Sequence, residues 1–134
     1  PVVLKGIMDP DEAKVAVQKG VDGLIVSNHG GMYVPGLASP MDVLPSIVDA
    51  VGGRIPVLVD GGFRRGSDVV KALALGARAV LISRPAVWGL AAYGSDGVRT
   101  VLEIMQSEVA RTMMACSRPA VALLDRTMIH TDKR

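Results

Sequence analysis

The sequence predicts an α/β fold built on short parallel strands, and three observations carry that prediction. Apolar residues make up 49% of the 134 positions while aromatics supply only 3%. The core is therefore made of small aliphatic side chains, the kind that fill parallel sheets and the helices covering them. Short aliphatic runs, each too brief for a helix, recur along the chain. Between them lie segments with helical spacing of apolar residues and recognisable start and stop signals.

The first strand is VVLK (2–5). It leads into "DPDEAKVAVQKG", where Asp9 is the expected N-cap, Pro10 opens the first turn and Gly20 ends the helix. Ala13, Val15, Ala16 and Val17 form its expected apolar face. GLIVS (23–27) is the second strand, and Met41 to Val51 reads as a helix made less regular by Pro45. PVLVD (56–60) is the third strand, followed by a helix from Ser67 to Ala77 that Gly76 closes. AVLIS (79–83) is the fourth. After it come a short apolar segment, "PAVWGLAAYG", and a long amphipathic helix from about Asp96 to Ala115, with Val98, Val101, Leu102, Met105, Val109 and Met113 at helical spacing. Met105, Met113 and Met114 are expected to fill the core, and Cys116 to be a small buried hydrophobe. The closing "RPAVALLDRTMIHTDKR" reads as one short helix and a polar tail.

Strand and helix alternating without interruption imply parallel strands joined by right-handed crossovers, in either a doubly wound sheet or part of a barrel. A (β/α)₈ TIM barrel needs about 250 residues, so these units amount to about half of one. An open parallel sheet of this size exposes two edges and an apolar face, and something is expected to cover them. The whole chain, 1–134, is then one half-domain. Its formal charge is +2, with 15 basic and 13 acidic side chains interspersed, which argues against a nucleic-acid partner. The single cysteine excludes an internal disulfide and a multi-cysteine metal site, and no metal site is expected. No signal pattern and no apolar run of about 18 residues are present, so a cytoplasmic location is the expectation.

In parallel α/β folds, ligands gather at the carboxyl ends of the strands, where loops diverge and helix N-termini present unpaired N–H groups. Those positions here read Lys5, then Ser27-Asn28-His29-Gly30-Gly31, then "DGGFRRG" (60–66), then Ser83-Arg84-Pro85. All of the strand ends carry polar or charged groups. The third and fourth suggest a phosphate site: glycines allow close approach, Arg64 and Arg84 each offer a fork of donors, and Ser67 begins a helix. Arg65 is the expected bystander, because adjacent side chains in a turn seldom converge. Lys5 ends an apolar strand and needs an anion or an electron-rich ring, which a cofactor or an internal salt bridge would supply. His29 suits a general base, since an imidazole exchanges its proton near neutral pH.

With these residues assembled, "PVVLKGI", "GVDGLIVSNHGG", "LPSIVDAVGGRIPVLVDGGFRRGSDVVKALALGARAVLISRPAVWGLA" and "LLDRT" resemble the FMN-dependent α-hydroxy acid oxidases and dehydrogenases. That is the family of glycolate oxidase, lactate oxidase, mandelate dehydrogenase and flavocytochrome b2. The resemblance covers nearly the whole chain and implies the C-terminal half, strands 5 to 8, of a TIM barrel. It implies FMN as cofactor and oxidation of a 2-hydroxy acid to a 2-oxo acid. His29 would be the active-site base, Lys5 would lie against the N1 and O2 side of the flavin, and Ser27 would fall beside it. Asp60 would bind the ribityl chain, and Gly62, Arg64, Ser83 and Arg84 would make the phosphate site.

Departures from the resemblance matter as much. Met32 stands where the family usually has an arginine that clamps the substrate carboxylate, and a thioether cannot replace that fork. Its loss implies a cost of roughly 2–5 kcal/mol in transition-state binding for ordinary 2-hydroxy acids. Ser83 replaces a phosphate-loop glycine. The first strands of the barrel are absent, and with them the aspartate that would orient His29. A missing N-terminal half, or another copy of the chain in a homo-oligomer, is the expected partner beside the small-molecule substrate. Two other readings stay open: a flavoprotein acting on a substrate without a free carboxylate, with Met32 and Tyr33 as an apolar wall, and a non-enzymatic half-barrel with residual FMN or phosphate binding.

Overall fold

The structure is a computed structural model that describes residues 1–34 and 36–130; the last residues of the expected polar tail lie outside them. β1 (Val3–Ile7), β2 (Gly23–Val26), β3 (Val57–Val59) and β4 (Ala79–Val80) form one sheet in the order β1-β2-β3-β4, every neighbouring pair parallel. The connecting helices are α1 (Pro10–Gln18), α2 (Pro40–Val51) and α3 (Gly66–Ala74), and β4 runs into α4 (Arg84–Ala115). Because the strand order never reverses and crossovers share one hand, the helices stay on one face of the sheet. This sequential winding belongs to a barrel arc. A doubly wound sheet would reverse its order at a switch point.

The strand registers assign the two faces. Leu24, Val26, Val57 and Val59 point toward the helices and are buried with Ala13, Ala16, Leu44, Ile47, Val51 and Ala72. The largest of these side chains each contribute roughly 1.5–3 kcal/mol relative to an exposed position. The opposite face, formed by Lys5, Ile25, Leu58 and Ala79 across paired positions, is only partly covered. On the edge strand β1, Val3 is 49% exposed and Leu4 38%.

Local signals explain the elements. Asp9 caps α1 by accepting from the backbone N–H of Asp11 and Glu12, with Pro10 opening the helix. Ser39 and Asp42 form a reciprocal capping box on α2, and Gly52 ends it in the left-handed region at φ 60°. Pro45 is tolerated inside α2, and its carbonyl accepts from Arg126 Nη2 at 3.2 Å.

Several expectations need correction. Val15 of α1 is 51% exposed, so the buried stripe is carried by Ala13 and Ala16 with Val17 half-buried. The segment "PAVWGLAAYG" is helical: α4 starts at Arg84 and bends at Tyr93 and Gly94, where the backbone leaves helical geometry. The two arms meet so closely that a Cβ on Gly97 would overlap the carbonyl oxygen of Gly89. Met105 and Met113 are buried, but Met114 is 73% exposed, since a helix turns consecutive residues to different sides. Leu102 is likewise 51% exposed. Cys116 sits at the end of α4 beyond the core and is exposed. The single helix expected near the end is two 3₁₀ turns, Val121–Leu123 and Arg126–Met128.

Candidate active site at the strand ends

One cavity of about 500 Å³ opens toward the carboxyl ends of the strands, lined by residues that follow β2, β3 and β4 and by Lys5, which stands within β1 rather than at the strand end expected for it. Lys5, His29, Met32, Asp60, Gly62, Arg64, Ser83 and Arg84 all contribute to its wall. Arg65 does not; it faces a separate groove with Ser67 and Glu108. Of the predicted site residues, Ser27 alone stays beneath the surface, 1% exposed. Its hydroxyl accepts from Lys5 Nζ at 2.8 Å and from the backbone N–H of His29 at 3.2 Å, so it supports the site from below.

Lys5 and Asp60 reach each other across β2. Lys5 Nζ lies 2.8 Å from Asp60 Oδ2, so the internal salt bridge considered for Lys5 is present. With Ser27 and Asp60 engaged, two of three ammonium hydrogens are used and one remains for the cavity it lines. Asp60 Oδ1 is buried and accepts no hydrogen bond among the described residues, which is costly unless a donor arrives from the cavity.

The loop after β3 holds its glycines in a backbone conformation that residues with a side chain rarely adopt. Gly61 and Gly62 lie at φ 91° and 82°, and a Cβ at Gly62 would meet open space, so the backbone there is accessible to a ligand. Asp68, in the first turn of α3, accepts from the backbone N–H of Arg64 and Arg65, both at 3.0 Å, and fixes the loop. The Arg64 guanidinium lies over the ring of Trp88, 4.3 Å from its centroid. Neither Arg64 nor Arg84 has a carboxylate partner among the described residues.

His29 follows β2 in a 3₁₀ turn (His29–Gly31) whose backbone is capped by Asn28. It adopts φ 54°, a left-handed conformation uncommon for a residue with a Cβ. Its ring meets Tyr33 edge to face at 5.4 Å between centroids. Met32 and Tyr33 are 79% and 75% exposed, and both line the cavity. Sequence reasoning missed Gly6: a Cβ there would stand 2.9 Å from Cε1 of His29. A glycine directly after the lysine of an otherwise aliphatic run was the available signal. Trp88 was also missed, although a lone tryptophan just beyond Arg84 could have marked it.

The site combines the His29 imidazole, a buried carboxylate oxygen with no donor among the described residues, open glycine backbone and two arginines with no carboxylate partner among those residues, all lining one cavity. Sequential parallel strands with polar groups gathered at one rim define a barrel-type α/β protein with a ligand cavity at its strand ends. The chain belongs to the FMN-dependent dehydrogenase family, whose model it matches over residues 1–131. It is 50% identical over 129 residues to 2-hydroxyacid oxidase 1 of Mus musculus, covering 96% of this chain and 35% of that protein. To L-lactate oxidase of Nostoc sp. it is 51% identical over 120 residues, covering 88% of this chain and 33% of the relative. A solved structure of mandelate oxidase with (S)-2-phenylpropionate superposes with a TM-score of 0.91 at 49% identity, over 94% of this chain and 38% of that one. The chain thus spans about a third of the length of the curated relatives it matches.

Proposed function

We propose that this chain supplies the base-bearing and phosphate-binding part of an FMN site that oxidises a 2-hydroxy acid to a 2-oxo acid. The observation that carries the proposal is the convergence of Lys5, His29, Asp60, Gly62, Arg64 and Arg84 on one cavity. These residues fit the cofactor. Asp60 Oδ1, buried without a partner among the described residues, suits a ribityl hydroxyl donor, and the two arginines beside open glycine backbone suit a phosphate dianion. The remaining hydrogen of Lys5 Nζ suits an electron-rich ring edge. FMN, when bound, supplies the two-electron acceptor.

The chain's own residues do the rest. The unprotonated ring nitrogen of His29 takes the substrate proton. Lys5 offers positive charge where the reduced cofactor would gather negative charge, and Asp60 and Ser27 hold that ammonium in place. No hydrogen bond orients the His29 imidazole among the described residues; its only ring neighbour is Tyr33. An orienting carboxylate and the cover for the open sheet face come, in this reading, from further strand and helix units. These belong to the same polypeptide or to a second copy. In the complete assembly His29→Ala is expected to abolish bleaching of the flavin by substrate while FMN stays bound. Rapid bleaching in that variant sinks the base assignment.

A second reading is favoured by one observation: the wall beside His29 is formed by Met32 and Tyr33. Neither supplies a cation for a carboxylate, so a substrate without a free carboxylate fits that wall. Met32→Arg separates the two readings. A rise in rate with small 2-hydroxy acids of about 10²-fold shows that a missing clamp limits turnover; an unchanged rate favours an uncharged substrate.

A further inference from the structure

Arg64 makes no side-chain hydrogen bond or ion pair among the described residues, and its guanidinium rests over Trp88, 4.3 Å from the ring centroid. Trp88 stands on α4 one turn after Arg84, so the helix that brings one arginine into the cavity also brings the ring to the other. It is the only tryptophan in the sequence and is 54% exposed. Burial in the core therefore does not account for so large a ring at this place. A long side chain leaving a glycine loop loses rotamer freedom when it engages an anion. Contact with a ring face restrains it beforehand and uses none of its N–H donors.

We propose that Trp88 is a positioning residue for Arg64, holding the guanidinium at the cavity so that its N–H fork is ready for the phosphate of the bound nucleotide. The inference rests on the FMN reading above and adds a residue that acts through Arg64. Trp88→Ala is expected to weaken FMN binding about two- to fivefold and to leave riboflavin, which lacks the phosphate, unaffected. Trp88→Phe keeps a ring and most of the affinity. Once Arg64→Ala is present, Trp88→Ala changes FMN affinity no further.

Titration of flavin fluorescence with the full chain, using FMN and riboflavin against wild type and these variants, tests it. Tryptophan emission of ligand-free wild type and Arg64→Ala is the companion measurement, because the signal comes from Trp88 alone. The expected result is a shifted emission in Arg64→Ala, together with an FMN-specific loss in Trp88→Ala that Trp88→Phe restores. Equal losses for FMN and riboflavin, or a loss that persists in the Arg64→Ala background, overturn the positioning role. Should Trp88→Ala fail to fold, Trp88→Phe and the emission shift decide by themselves. Failure of the underlying reading looks different: wild type then binds FMN no better than riboflavin, which removes the phosphate site and the proposal with it. Phosphate-selective binding unchanged by Trp88→Ala overturns the role of Trp88 alone.

Discussion

Gly6 shows how a residue with no reactive group governs one that has it. It sits at φ 106° directly behind Lys5, and the strand register shifts there, between Lys5 and Ile7. A methyl group at this position would press on the His29 ring from 2.9 Å. Gly6→Ala is therefore expected to destabilise the fold by about 1–2 kcal/mol through its backbone conformation. In the complete assembly it should also slow flavin reduction more than it weakens FMN binding. Chemical denaturation and stopped-flow reduction check the two parts; an unaltered rate would mean that the imidazole does not depend on β1. Asp60 illustrates the complementary case. Its charge is readable from the sequence, but only the structure shows one oxygen committed to Lys5 and the other buried with no donor among the described residues.

Among the elements, the segment after α4 is tied back to α2 through Arg126. Arg126 donates through Nη1 to Asp49 Oδ2 at 3.0 Å and through Nη2 to the Pro45 carbonyl, and its Nη2 lies 2.8 Å from Asp49 Oδ1 in an ion pair. The hydrogen bond from Arg126 holds the Asp49 carboxyl below the usual carboxylate range, its positive charge adds to this, and slight burial opposes it. Asp125 is lowered in the same direction, first by the side-chain hydroxyl of Thr127 and then by its backbone N–H. A carboxyl lowered on folding stabilises the folded form above its unfolded value and loses that contribution as pH falls through the folded one. Amide protection across Val121–Met128 is therefore expected to decline below about pH 4. Arg126→Ala should show low protection already at neutral pH and no further acid step attributable to Asp49. A segment equally protected in that variant would show that Arg126 does not anchor it.

On the scale of the whole molecule, the sheet is an arc with two unpaired edges and one face left partly open. Pairing both edges with four further strand and helix units would close an eight-stranded barrel. Light scattering and flavin absorbance of the chain mixed with such a complementary half are expected to reveal a yellow stoichiometric complex. A colourless mixture of separate species would sink the closure. Much of this was legible in the sequence, because the signals are local. Aliphatic runs, Asp9 with Pro10, and Gly76 fixed the order of elements, and the polar residues at each strand end marked the rim. Nonlocal contacts could not be read that way. The one-sided placement of helices, the burial of Ser27, the exposure of Met114 and Cys116, the Lys5–Asp60 pair and the stacking of Arg64 on Trp88 each depend on which distant residues the winding brings together. The sequence by itself determined which chemistry stands at the strand ends, since strand periodicity sends those residues to one rim. Only the tertiary structure decided how that chemistry is partnered, because a side chain's charge and hydrogen bonds are settled by neighbours tens of residues away along the chain.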